Sequence, residues 1–355
     1  MIFLIVLSAL ICAIVFINNK EISIREYFIW QSTMIILVLL PYLIWIIPIQ
    51  NDVYYESGRI METKFHPYFV ERYTQSHTIC TSTGKSTSCT TYYTTEHAKY
   101  PEHWTVTDSL NHTFKVSKQF HDQVKNSFGN RKITTKPKKC KHGGTIVKGD
   151  PNVYVYKNDT NTYDFPTNQL ATWHNKLKIS NTIFNNKSSI NINYPTTRTN
   201  INTYRLIVPG EGLTQKDWDI LNTKIYEKVG ANVILVKIQN TDEAKQLEDK
   251  WLNGKKNDIV ICIKGKYSNP DFVKVFGWTE TAYVKVKLEN SILEQGVDLH
   301  NIETIIAEYY KPYDVTKFNY ISTPPPLYIF LISLVLAIIV GIIMYREITT
   351  NWETK

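Results

Sequence analysis

The side chains of this sequence that could bind a metal ion are cysteines and histidines in its first half. They lack the CxxC and HExxH spacings by which short motifs bind zinc, so we predict no metal site and no cofactor. Gly84-Lys85-Ser86 resembles the end of a phosphate-binding loop, but that loop needs a glycine at the position of Ile79. The soft ligands considered are Cys80, Cys89, His97, His103, Cys140 and His142.

Two of these cysteines can pair across a hairpin. Folding residues 78–91 about Gly84-Lys85 as a two-residue turn places Cys80 opposite Cys89, at a non-hydrogen-bonded pair where side chains are closest. We predict a disulfide between them, which is typical of a region outside the reducing cytosol. Two free cysteines beside a loop are the alternative. A second bridge, for which no local feature argues, would join Cys140 and Cys262.

The net charge of +8 arises between the two ends of the chain, where a basic link stands out. Residues 131–142 carry six basic residues and no acid, which is typical of a solvated linker. Contact with anionic lipid headgroups or an acidic envelope polymer is the functional alternative. Because no aromatic residue interleaves the charges, specific nucleic-acid binding is not expected. The basic residues are Arg131, Lys132, Lys136, Lys138, Lys139 and Lys141.

The elements that must position these residues fall into two halves. The first is rich in Thr, Tyr and Val in short alternating runs, which are typical of β-strands. In the second, strands at 232–238 and 258–263 enclose a helix and so imply a parallel pair. Shorter strands are predicted at 272–276 and 282–288. The predicted fold class is α+β, with a β-rich part followed by an α/β sandwich.

Apolar stretches frame this region. Residues 28–49 and 327–345 are uncharged and long enough to cross a bilayer, and residues 2–17 form a shorter candidate. The positive-inside rule then places the main domain outside the cytoplasm and the C-terminus inside it. The sequence therefore predicts a multi-pass membrane protein with three transmembrane helices. The predicted segments are a membrane hairpin at 1–50, a β-rich region at 51–203, an α/β domain at 204–323 and a last span with its tail at 324–355.

The α/β part resembles the TPM domain family. The resemblance rests on the order of the segments GEGLTQKDW, NVILVKI, DIVICIKGK and VFGWTE, a following helix and an apolar stretch, over about residues 210–312. It implies an exported, membrane-anchored domain with a single-sheet α/β fold, in a family linked to photosystem repair, acid phosphatase activity or assembly of membrane complexes. No acidic metal-binding constellation matches, so the resemblance implies no catalytic residue.

These features lead to two functional hypotheses. The first is a membrane-anchored envelope protein whose extracytoplasmic domain is a binding or assembly module, with the lipid bilayer and another membrane protein as partners. The second is a phosphatase-like hydrolase, because parallel sheets place ligands beyond the carboxyl ends of their strands. We favour the first, since no Ser-His-Asp, Cys-His or paired-carboxylate spacing is present. The residues at those strand ends, where turn formation is the alternative role, are Asn240, Asp242, Lys264 and Lys266.

Overall fold

The computed structural model combines helices and sheets, as the predicted α+β class requires. It describes residues 24–82, 87–129, 132–134, 140–158, 162–174, 190–195, 210–318 and 327–353. The chain divides into two compact units. The first comprises residues 1–54, 172–189 and 314–355, and the second comprises residues 55–171 and 190–313. The boundary predicted at residue 203 lies outside the described residues.

The elements alternate between strands and helices after a strand-rich first half. The helices are α1 Ile24–Gln50, α2 Lys118–Ser127, α3 Gln215–Val229, α4 Thr241–Lys250, α5 Tyr283–Gln295, α6 Leu299–Tyr309 and α7 Leu327–Glu353. The strands are β1 Asn51–His66, β2 Phe69–Ser82, β3 Thr87–Tyr100, β4 His103–Asp108, β5 Thr113–Val116, β6 Lys132–Thr134, β7 Thr145–Gly149, β8 Tyr154–Lys157, β9 Pro166–His174, β10 Asn232–Lys237, β11 Asp258–Lys266 and β12 Asn269–Gly277.

The first unit contains α1 and α7, which pack against each other. Within the residues that the structure describes, no helix has both the length and the apolar character needed to cross a membrane. The prediction of three transmembrane helices is therefore wrong, and so is the multi-pass membrane localisation derived from it. The apolar stretches are parts of helices that also contain charged turns, with Arg25 and Glu26 in α1 and Arg346 and Glu347 in α7. The candidate span at 2–17 lies outside the described residues.

A six-stranded sheet forms the β-rich part of the second unit. Its strand order is β5-β4-β1-β8-β6, and β9 also pairs with β1. Helix α2 packs on it, and the Ser117 hydroxyl caps the helix by accepting a hydrogen bond from the Phe120 amide at 3.2 Å. The apolar side chains buried between helix and sheet are Ile60, Val106, Phe114, Val124 and Phe128.

One long hairpin crosses from this sheet into a second one. The ladder between β1 and β4 ends at the pair His66↔His103, and the ladder between β2 and β3 resumes at Phe69↔Tyr100 without a change of register. Proline cannot donate to a ladder, and Pro67 and Pro101 stand at this interruption. The second sheet has the order β3-β2-β7.

The α/β part has a sheet of order β10-β11-β12, in which β10 and β11 are parallel and β12 is antiparallel. Helices α3, α5 and α6 cover one face, and α4 covers the other. The prediction of a strand at residues 258–263 is confirmed. It is the central strand of this sheet, and all six residues are buried.

One predicted strand in this part is wrong. Residues 282–288 belong to the end of a turn and to helix α5, not to a strand. Their Val-Lys alternation fits a strand, but Val284, Leu288 and Ile292 recur at helical spacing and are all buried. Packing of this helical face against the sheet decides the outcome.

The two parts of the second unit are joined by buried hydrogen bonds from side chains to the backbone of β1. The Asn257 amide donates to the Tyr55 carbonyl at 2.8 Å, and the Thr223 hydroxyl donates to the Gly58 carbonyl at 3.1 Å. Buried polar groups are costly unless they are paired, so these bonds fix the start of β1 against α3 and β11.

Candidate binding site: a disulfide-clamped ribbon

The candidate site is the distal part of the long hairpin, residues 73–82 of β2 and 87–96 of β3, which we call the ribbon. Its pairs run without interruption from Tyr73↔Glu96 to Ser82↔Thr87. A strand rises about 3.3 Å per residue, so the ribbon is about 30 Å long. The register predicted from the turn, with Cys80 opposite Cys89, is confirmed. The turn residues 83–86 lie outside the described residues.

A disulfide joins Cys80 to Cys89 near the tip of the ribbon, as predicted. The Cα atoms of the pair are 4.0 Å apart, which identifies a non-hydrogen-bonded pair. The backbone N–H and C=O groups of such a pair point away from the partner strand. Because hydrogen-bonded and non-hydrogen-bonded pairs alternate along the ladder, Thr78↔Thr91 and Ser76↔Tyr93 are also non-hydrogen-bonded pairs. Their backbone groups therefore also point away from the partner strand.

Most side chains of the ribbon are exposed on both faces. Tyr93 is 72% exposed on the face that carries the disulfide, and Tyr92 is 46% exposed on the other face. Cross-strand contacts hold several other side chains of the ribbon in place. The His77 ring stacks on Tyr92 at a centroid distance of 5.2 Å, and the hydroxyls of Thr78 and Thr91 are 3.0 Å apart. Exposed tyrosine surrounded by small hydroxyl side chains is the composition of protein-binding paratopes.

The edges of the ribbon carry almost no charge. From Tyr73 to Thr95 the only Lys, Arg, Asp or Glu in the sequence is Lys85, in the turn. Natural proteins usually protect exposed edge strands with charged residues or proline, which prevent another strand from pairing there. The strands of this ribbon have no proline, and Glu96 at the base is their only charged residue, so in the described part of the chain its edges are open to strand addition.

The base of the ribbon is fixed by a buried carboxylate, Glu71, which has no exposed surface. It accepts hydrogen bonds from the Tyr100 hydroxyl at 2.7 Å and from the amides of Gly144 and His142 at 2.8 and 3.0 Å. Burial acts to raise the pKa of Glu71, but these hydrogen bonds outweigh it and the pKa lies below its ordinary value. Gly144 is required here, because a Cβ would collide with the Arg72 carbonyl.

Below the base, three links connect the two sheets, and we call them the neck. They are residues 67–68, 101–102 and 150–153, and each contains a proline, Pro67, Pro101 or Pro151. Aromatic pairs lie on either side of the interruption. The rings of His66 and His103 stack at 4.3 Å, and those of Phe69 and Tyr100 also stack at 4.3 Å. The neck therefore restricts how the ribbon can move relative to the first sheet.

The second disulfide considered from the sequence is absent, because Cys140 and Cys262 are both free thiols. Cys262 lies in β11 and is buried against α4, whereas Cys140 precedes β7 near the base of the ribbon. Burial raises the pKa of the Cys262 thiol to about 12, so it stays protonated and unreactive.

The basic link is described in part. The Lys132 ammonium lies 3.5 Å from the centre of the Tyr154 ring, which is a cation–π contact, and the Lys141 amide donates to the Tyr100 hydroxyl at 3.3 Å. The remaining basic residues, Arg131, Lys136, Lys138 and Lys139, lie outside the described residues. Binding of an anionic surface by this link stays a prediction.

The residues suggested for a hydrolase lie in turns and on the surface of the α/β part. Asn240 is the N-cap residue of α4, and Asp242 is exposed in its first turn. Lys264 is half-buried near the end of β11 and Lys266 is exposed at its last position. Sequence reasoning missed the carboxylate that lies here, Glu211, which pairs with Lys237 at 3.0 Å and accepts from the Tyr267 amide. The feature of the sequence that could have indicated Glu211 is its position between Gly210 and Gly212, a pattern typical of a turn.

Asp258, at the opposite end of β11, is a structural carboxyl. It is fully buried and accepts hydrogen bonds from the Tyr194 hydroxyl at 2.5 Å, the Asn232 amide at 2.7 Å and the Lys255 backbone amide at 2.8 Å. Burial raises its pKa, although these hydrogen bonds act in the opposite direction. Because the amino ends of the parallel strands lie here, this is not the sheet edge at which ligands usually bind.

A cleft of about 740 Å³ lies between β1, β4 and α3. Three of its charged side chains are engaged within the protein: Arg59 pairs with Glu227 at 3.3 Å, and Asp108 accepts from the Thr167 hydroxyl at 3.0 Å. In the described part of the chain, no three His, Cys, Asp or Glu side chains form a cluster suited to a metal ion. The cleft therefore lacks the reactive groups that would make it a candidate catalytic site.

Comparisons with family models, with curated proteins and with solved structures find no match to this chain. The resemblance of residues 210–312 to the TPM domain stays a prediction from the sequence.

Proposed function

We propose that this chain is a non-enzymatic protein-binding module and that the ribbon is its contact element. The observation that carries the proposal is the open edge of β3, which is uncharged from Thr87 to Thr95. Among the described residues, no strand pairs with β3 on the side away from β2, and β7 pairs with β2 only through residues 69–72.

The occupant of this edge is an extended segment of a partner polypeptide, which adds as a further strand. In strand addition, backbone hydrogen bonds supply the affinity and side chains at alternate positions supply the specificity. The outward-pointing backbone groups of Thr91 and Tyr93 supply the hydrogen bonds to the partner strand, and the exposed Tyr93 ring is an anchor that contributes to specificity. The disulfide holds the ribbon extended, so the partner does not have to order it on binding.

Site-specific photo-crosslinking tests this proposal in cells that make the protein naturally. A photoreactive phenylalanine replaces Tyr93 in one variant and Tyr283, an exposed tyrosine of α5, in the matched control. We expect a discrete protein adduct from position 93 and none from position 283. An adduct of twice the mass of the chain would identify a second copy as the partner.

A second pair of variants separates strand addition from side-chain contact. Thr91→Pro removes an outward backbone donor without removing a bond of the β2–β3 ladder, and Thr91→Val keeps the donor. Thr91→Pro should abolish the adduct and Thr91→Val should retain it. Equal adducts from both variants, or from positions 93 and 283, would contradict the proposal.

A further inference from the structure

The neck encloses a cavity of about 380 Å³, within the range of small-molecule sites. It lies beside the aromatic pairs at the bend of the hairpin, and most of its wall is apolar or aromatic. The residues that line it are His66, Pro67, Phe69, Tyr100, Pro101, His103, Lys115, Pro151, Asn152 and Val153. The three neck prolines have fixed backbone φ angles, so this wall is preformed.

The polar groups of this cavity favour an anion. Lys115 is an exposed cation at its wall, and two imidazoles lie beside it, whereas no lining residue is an acid. Three carboxylates lie nearby. Glu102, in the neck between Pro101 and His103, is exposed and does not line the cavity, and the other two are engaged within the protein. Glu71 accepts from the Tyr100 hydroxyl, and Asp150 accepts from the Tyr154 hydroxyl at 2.5 Å and from the Asn152 backbone amide at 2.9 Å.

The imidazoles have a defined arrangement. Nδ1 of His103 lies 3.1 Å from the Pro101 carbonyl, and because a carbonyl only accepts, this nitrogen carries a proton. The rings of His66 and His103 lie within 2° of parallel, and flat surfaces of this kind suit a planar ligand.

We propose that the neck cavity binds a small planar organic anion, an aromatic or heteroaromatic carboxylate. Its ring packs against the prolines and aromatic side chains of the wall, and its carboxylate pairs with the Lys115 ammonium. This site is separate from the ribbon edge, so it does not depend on the proposed protein-binding function.

The experiment titrates the full chain with benzoate and with benzamide, a neutral molecule of nearly the same shape, by ligand-observed NMR. We expect saturable binding of benzoate with a dissociation constant of about 1 mM or below, and much weaker binding of benzamide. Absence of saturable benzoate binding, or equal binding of the two probes, would overturn the proposal.

Two lysine variants locate the site. Lys115→Gln should weaken benzoate binding about tenfold, because it removes a charged hydrogen-bond donor from the cavity. Lys148→Gln is the matched control, since Lys148 is also an exposed strand lysine but does not line the cavity. Equal losses in both variants would show non-specific attraction by a basic protein, and the site would be rejected.

Discussion

Removal of the Cys80–Cys89 disulfide should unfold the ribbon and leave the rest of the second unit intact. The bond closes a loop of sequence separation 9, for which loop-closure entropy gives a stabilisation of about 3 kcal/mol. The remaining distal contacts are cross-strand pairs, each contributing roughly 0.2–1 kcal/mol. A two-stranded hairpin is marginally stable by itself, so a loss of this size is enough to open it.

Hydrogen exchange followed by mass spectrometry measures this effect residue range by residue range. In the Cys80→Ala/Cys89→Ala variant, protection of amides in residues 73–82 and 87–95 should fall about 100-fold, the factor that corresponds to roughly 3 kcal/mol. Amides of β10 and β11 should keep their protection, because their core has no contact with the disulfide. Cys140→Ser, which changes a free thiol, is the control.

Two outcomes would refute this reasoning. Unchanged protection of the distal ribbon would mean that the cross-strand contacts alone hold it, so that the disulfide has no structural role. Loss of protection throughout β10 and β11 would mean that the ribbon supports the whole unit, which contradicts its exposure on both faces.

Further predictions concern titration and the core. The pKa of Glu71 is lowered in the folded state, so the ionised carboxylate stabilises the fold above pH 4.5, and this stabilisation is lost as the pH falls through the folded pKa. Thermal melting at a series of pH values should show the loss, and the Glu71→Gln variant should lack this pH dependence. The pKa of Asp258 is raised, so the folded state binds the extra proton and stability should decrease as the pH rises from 3.8 through the folded pKa; Asp258→Asn should flatten that slope in the same assay. Leu288→Ala should lower the free energy of unfolding by about 2–5 kcal/mol in urea denaturation, because Leu288 is buried. Val286→Ala, at a half-exposed position of α5, should lower it by well under about 1 kcal/mol. Similar losses in both variants would favour the strand that the sequence predicts.

The parts of the fold that sequence predicts well are those determined by neighbouring residues. The register of the ribbon follows from a short turn and two cysteines, and the helices that begin after Ser117 and Thr214 follow from their capping side chains. The central strand at Asp258–Lys266 follows from an unbroken apolar run.

The rest depends on contacts that a sequence window does not contain. The alternation at Val284 and Val286 is compatible with a strand until the buried face at Leu288 and Ile292 is known. The histidine pair at the neck could have been predicted from the sequence. If the register that places Cys80 opposite Cys89 is extended along the hairpin, His66 stands opposite His103. The burial of Glu71 was not, because it needs the loop at 142–144 to fold back onto β2.

The ribbon is held at three places by different physical means, and this arrangement bears on its use. The disulfide restricts the unfolded chain at the tip, the Glu71 hydrogen bonds fix the base, and the prolines of the neck set the bend. None of the three covers the exposed tyrosines or the edge of β3. A hairpin maintained only for stability would gain from burying Tyr93, which is 72% exposed. Among the described residues, the stabilising interactions lie instead where they leave both faces and the outer edge accessible, as the proposed addition of a partner strand requires.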